Sequence, residues 1–229
     1  LTHGGIANNI KVNLVRIDSE KLKPSEMKYK LKNASGILIP GGFGKRGTKG
    51  KIESIRYARN NKIPFFGICY GMQMAIIEFA RNKLKIKNAT SSEIDKKGIS
   101  IVGLMSEWDK DGKKVKGTDI DLGGTMRLGS YEAKLKDNSL IKKIYKSKTI
   151  YERHRHRYEV NISYKDKFEK NGLIFSGLSP DSRLTEIIEL KNHPWFFGVQ
   201  FHPEFKSRPF NPHPLFSSFI KAAKKKYAK

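Results

Sequence analysis

The chain has 229 residues and carries 46 Lys and Arg against 22 Asp and Glu, a formal net charge of +24. That length fits one α/β domain with a sizeable core, and no stretch approaches the roughly 20 apolar residues of a membrane helix. The single cysteine, Cys69, excludes an internal disulfide; with no secretory signal in view, a cytoplasmic setting is expected. The lysines are spread over every segment and no RNA- or DNA-binding motif accompanies them. A lysine-rich compositional bias, or a basic face towards anionic nucleotides or a partner domain, is therefore expected in preference to nucleic-acid binding.

Along the chain, strands are predicted over 11–17 and 36–40. The glycine-rich stretch Pro40-Gly41-Gly42-Phe43-Gly44-Lys45-Arg46-Gly47 and a helix over 51–60 follow. Ile63-Pro64-Phe65-Phe66 begins a short buried strand over 63–68, and a helix follows over 70–82. Further strands are predicted over 99–106, 149–153, 173–178, 184–190 and 196–201, with helices over 138–145 and 214–226. Glu107 to Gly117 reads as a polar, turn-rich loop. Strands alternate with helices in the first half, which argues for a parallel sheet. Denser strands in the middle argue for an antiparallel patch. The predicted fold is α/β, a mostly parallel central sheet flanked by helices with a small antiparallel patch, in one domain over 1–229.

Gly67-Ile68-Cys69-Tyr70-Gly71 sets the cysteine between a strand and a helix in a turn bracketed by glycines. This is the nucleophile-elbow pattern with sulfur in place of oxygen. A buried structural cysteine is the usual fate of a lone one, but the bracketing glycines favour a nucleophile, aided by the helix N-terminus. A nucleophile needs a base and the base an orienter. Of the six histidines, His202 follows the apolar run Trp195 to Phe201, at the end of a strand, with Glu204 two residues on. Alone, His-Pro-Glu is equally a surface loop. Gly41-Gly42-Phe43-Gly44 reads as a turn or a close approach to substrate; it lacks the Gly-Lys-Ser/Thr ending of a P-loop. In Arg153-His154-Arg155-His156-Arg157, strand spacing puts the histidines on one face and the arginines on the other.

Gly67-Ile68-Cys69-Tyr70-Gly71-Met72-Gln73 with Gln200-Phe201-His202-Pro203-Glu204 resembles the class I glutamine amidotransferases. Pro40 to Gly47, Asp121 to Gly129, Glu152 to Asn161 and Asn192 to Phe196 are similar to the glutaminase domain of the CTP synthases. The resemblance covers nearly the whole chain and implies a flavodoxin-like fold of that class. It implies a triad of Cys69, His202 and Glu204, an oxyanion hole from the backbone of Gly42 and Tyr70, and glutamine contacts from Gly42, Tyr70, Gly71, Met72, Gln73, Glu93 and Arg157. Taken alone, Glu93 is a solvated loop acid and Arg157 a surface arginine. The family usually has leucine where this chain has Tyr70. In the family a strand precedes the His-Gly-Gly segment, so that first strand is expected to be missing here, with the synthetase domain.

The implied reaction is glutamine hydrolysis supplying ammonia for the amination of UTP to CTP. No cofactor is expected in this domain. ATP and Mg would serve the synthetase domain, with GTP as an activator at the domain interface, near Phe43 to Gly50 and the Gly123 to Gly129 lid. Two other functions are compatible with parts of the sequence. One is a different cysteine hydrolase on the same fold, of γ-glutamyl hydrolase or peptidase type. The other is a basic interaction module without activity.

Overall fold

The computed structural model describes residues 1–104 and 126–227. Element order is α1 (Thr2–Ala7), α2 (Met27–Leu31), β1 (Ile37–Ile39), α3 (Thr48–Asn60), β2 (Phe65–Ile68), α4 (Tyr70–Asn82), β3 (Ala89–Ser91), β4 (Ile99–Leu104), β5 (Arg127–Leu135) and α5 (Leu140–Tyr145). β6 (Thr149–His156), β7 (Tyr158–Val160), α6 (Lys165–Lys170), β8 (Leu173–Leu178), β9 (Thr185–Leu190), β10 (Phe196–Val199) and α7 (Pro214–Tyr227) complete it. The expected loop over Glu107 to Gly117 and the Gly123 to Thr125 part of the lid lie outside the described residues.

The described strands form a seven-stranded sheet in the order β1-β2-β10-β9-β8-β5-β6 and a three-stranded sheet in the order β3-β4-β7. In the large sheet β1, β2 and β10 run parallel, and the four remaining pairings are antiparallel. The α/β fold expected from the sequence is thus present, but the large sheet is not mostly parallel with a small antiparallel patch: four of its six described pairings are antiparallel, because β8, β9 and β10 follow one another through short connections that cannot cross over. Its parallel third carries the motifs.

Two apolar layers cover the large sheet, and strand alternation assigns residues to them. Phe65 joins the layer holding α3 and α4, whereas Phe66 and Ile68 face Trp195, Phe216 and Phe219 with α7. The Phe66 ring meets Trp195 edge-on at 5.4 Å and Phe216 at 5.7 Å, the arrangement favoured by ring quadrupoles. Every residue of α4 from Tyr70 to Ala80 is buried. An α-helix enclosed all round in this way is fixed rigidly at its N-terminus, which is where Cys69 sits.

The strand predicted over 11–17 does not form. Residues 11–17 join no ladder, and Leu14 and Val15 are 52% and 81% exposed. β-propensity expresses packing on a pleated surface beside a neighbour, and no described strand lies beside this segment. β1 accordingly forms an edge of the sheet.

Candidate active site

The parallel registers bring the motifs together. Ile39 pairs with Gly67, and Ile68 pairs with Val199, so β1, β2 and β10 end at one edge of the sheet. Gly41-Gly42, Cys69 and Gln200 to Glu204 each follow the end of one of these strands. The Cys69 N–H donates to the Val199 carbonyl at 2.7 Å, tying the two strand ends directly.

Cys69 adopts φ +49° and ψ −104°, a conformation sterically costly for any residue with a side chain. The turn is possible because its glycines lie against backbone. A methyl carbon at Gly71 would sit 2.1 Å from the Ile39 carbonyl oxygen, and one at Gly67 would sit 2.7 Å from Gly71. Burial pushes the Cys69 thiol up to about 12, the Tyr70 backbone N–H pulls it down, and Glu204, Glu159 and Glu93 raise it further. The resting sulfur is therefore a thiol, and it requires a base.

His202 is the candidate. Its Nδ1 bonds Glu204 Oε1 at 2.6 Å, while its Nε2 is shielded from solvent and has no hydrogen-bond partner. An imidazole protonated at Nδ1 leaves Nε2 free to accept a proton. The point where a Gly41 Cβ would stand lies 2.8 Å from His202 Cε1 and 3.8 Å from Cys69 Cβ, so only glycine fits between the two side chains. The Phe205 ring stacks on the imidazole at 5.1 Å, and the His202 N–H bonds the Arg153 carbonyl at 2.8 Å. Glu204 and Phe205 thus fix the ring, and the Arg153 bond fixes the backbone that carries it.

The small sheet supplies the opposite wall. Glu93 follows β3 and accepts from the Gly44 N–H at 2.6 Å; burial raises its pKa, and the Gly44 bond lowers it. Arg157 is half-buried in the turn between β6 and β7. Gln73, 2% exposed, donates to the Tyr158 carbonyl at 3.0 Å and to Gln200 Oε1 at 3.2 Å. Met72 is placed differently. Its N–H bonds the Cys69 carbonyl and its side chain packs beside Gly198 in the core. Gly71 is likewise pressed against β1. These two shape the elbow without offering a side chain to a ligand.

The sequence assigned no role to two features of the site. Gln200, fully buried, points Nε2 at Cys69 Sγ over 3.6 Å; its place one residue beyond a strand parallel to β2 was the only available signal. Behind it lies a buried ionic cluster. Arg127 pairs with Glu159 at 3.2 Å and with Glu186 at 2.8 Å. His154 reaches Glu186 at 3.2 Å and His156 at 2.9 Å, and His156 reaches the Tyr158 carbonyl at 3.2 Å. Burial, then the Arg127 charge, drives His154 down to about 2 and His156 down to about 3. Burial raises Glu159 to about 8 against the pull of Arg127, and raises Glu186 in the same way. The face-sharing of His154 and His156 expected from strand spacing is observed, with Arg153 and Arg155 exposed. Among the described residues no group of three or more His, Cys, Asp or Glu side chains is placed to hold a metal ion. No described helix is long and apolar enough to cross a membrane.

Known proteins resemble this chain in sequence and fold. The sequence profile of the family described as "Glutamine amidotransferase class-I" matches residues 1–222. The chain is 82% identical to a CTP synthase of Pelagibacter ubique (strain HTCC1062) over 98% of its own length, and 56% identical to one of Rhodospirillum rubrum over 97%. It spans only 42% and 41% of those relatives. Among solved structures it matches the glutaminase domain of Trypanosoma brucei CTPS with bound acivicin, with a TM-score of 0.87 and 37% identity, covering 98% of this chain and 85% of that one. A putative GMP synthase subunit from Thermoplasma acidophilum shares the fold at 15% identity and a TM-score of 0.60. The chain belongs to the class I glutamine amidotransferase family.

Proposed function

We propose that this chain hydrolyses glutamine at Cys69 and supplies the ammonia for amination of UTP to CTP in a synthetase domain outside these 229 residues. The observation that carries this reading is the geometry of His202. One ring nitrogen is held by Glu204, the other is buried without a partner, and the position of Gly41 alone lies between the ring and the Cys69 side chain. In the reaction, His202 Nε2 takes the thiol proton as Sγ attacks the side-chain amide carbon. The oxyanion forms between the N–H groups of Gly42 and Tyr70; donors so placed contribute about 3–4 kcal/mol each to the rate. His202 returns the proton to the departing ammonia, leaving a γ-glutamyl thioester on Cys69. Water, deprotonated by His202, then releases glutamate and restores the thiol.

Glu93 offers a carboxylate for the substrate ammonium and Arg157 a guanidinium for its α-carboxylate, a pairing suited to charge-assisted bonds. ATP, magnesium and UTP belong in this proposal to the synthetase domain, and GTP to the interface with it. The cytoplasm is the compartment proposed for this chemistry. The test is intact mass after incubation with acivicin, the compound bound in the T. brucei structure. One adduct on Cys69, blocked by excess glutamine and absent from Cys69→Ala, is expected. An unmodified wild-type chain, or faster turnover of a γ-glutamyl peptide than of free glutamine, would overturn the proposal; the second outcome would favour a γ-glutamyl hydrolase.

A further inference from the structure

The glycine loop after β1 is held at a single residue from two sides. The Tyr70 hydroxyl donates to the Gly44 carbonyl, and the Gly44 N–H donates to Glu93 Oε1 at 2.6 Å. Gly44 itself has φ +73°, a left-handed conformation. The Tyr70 ring runs along the loop, since a methyl carbon at Gly42 would lie 3.8 Å from Tyr70 Cδ1. Lys51 Nζ stands 5.7 Å from the ring centre. Tyr70 is 1% exposed, so its ring alone would satisfy the packing. The acyl-transfer chemistry uses only its backbone N–H. The hydroxyl is therefore an addition that needs its own explanation, and its sole described bond is to the loop that carries the oxyanion donor.

We propose that Tyr70 and Glu93 form a two-point latch on Gly44 that holds the Gly41–Gly44 loop closed over Cys69, with Tyr70 as a positioning residue for the oxyanion hole. Preorganised donors act without reorganisation at the moment of reaction, so a latch on Gly44 that holds Gly42 in place serves the chemical step. One Glu93 oxygen holds the loop and the other is left for a ligand. A cationic α-amino group arriving at Glu93 therefore docks on the group that fixes the loop. Substrates of this site are thus sorted by their ammonium as well as their amide. The inference rests on the amidotransferase reading.

The test uses the full chain and Tyr70→Phe, which removes only the hydroxyl. Two quantities are read: amide hydrogen exchange over residues 41–47, and the Cys69 modification rate by acivicin relative to iodoacetamide. In the variant, exchange over 41–47 is expected to rise severalfold. Modification by acivicin is expected to slow at least fivefold, while modification by iodoacetamide, which needs only the thiol, stays within twofold. Glu93→Gln, which keeps an oxygen for the Gly44 N–H but loses the charge, is expected to slow acivicin with no rise in exchange. Wild-type exchange and labelling ratios in Tyr70→Phe would overturn the latch. A wild-type chain that reacts with iodoacetamide but not with acivicin would overturn the amidotransferase reading and the latch with it.

Discussion

Two hydrogen bonds in series run from the Tyr158 carbonyl through His156 to His154, at 3.2 and 2.9 Å, and His154 Nε2 then stands 3.2 Å from Glu186 Oε2 with no hydrogen bond across that third gap. Two neutral imidazoles supply one N–H each, so two gaps are filled and the third needs a further proton. Burial and Arg127 keep both histidines neutral, so the group that can bring that proton as pH falls is the Glu186 carboxyl, whose pKa burial raises against the pull of Arg127. Glu186→Gln supplies the missing hydrogen permanently, since an amide Oε1 still accepts from Arg127 while Nε2 donates to His154. In the wild type the raised carboxyl contributes stability fully present below its unfolded pKa. That stability is lost as pH rises through the folded value. Losing the proton leaves His154 Nε2 and a carboxylate oxygen facing each other unsatisfied, which costs about 1–3 kcal/mol. Relative to wild type, the variant is therefore expected to gain about 1–3 kcal/mol between pH 6 and pH 9. Urea unfolding followed by fluorescence of buried Trp195 at both pH values measures the difference. At a slope of about 3 kcal/mol per M, the gain is a relative midpoint shift of roughly 0.3–1 M. A stability difference that is the same at pH 6 and pH 9 would refute the proton count.

Other substitutions probe the site and its frame. Gln200→Leu removes the amide donor facing Sγ, which disfavours thiolate; alkylation of Cys69 at pH 8 is expected to slow about tenfold, a hydrogen bond to a charged group being worth about 1.5–3 kcal/mol at good geometry. Glu204→Gln leaves His202 stacked on Phe205 but weakens the hold on its tautomer. A fall in kcat of at least tenfold is expected, short of the roughly 10⁴ seen where the orienting acid is buried, because the Glu204 side chain is 43% exposed. Gly71→Ala forces a carbon to 2.1 Å from the Ile39 carbonyl. It is expected to lower stability by at least about 1–3 kcal/mol and to abolish acivicin labelling, read by denaturant melts and intact mass.

The sequence alone determined what is local. The elbow was legible because Gly67, Cys69 and Gly71 lie within five residues, between an apolar run and a helix. The demand at Gly67 is settled within the turn itself, by Gly71, whereas the demand at Gly71 comes from Ile39 of β1. His202 and Glu204 were legible for the same reason, two residues apart after a strand. Tertiary structure decided what depends on partners. Residues 11–17 have strand composition and form no strand, because β-pairing needs a neighbour that propensity cannot supply. The pairing of Cys69 with His202 follows from parallel register between strands 131 residues apart, and Gln200 reaches the sulfur only through that register. Arg127, Glu159 and Glu186 have no spacing that marks them as a cluster. Each read alone is a surface charge, and burial together in a low-dielectric interior is what makes them one proton-holding network.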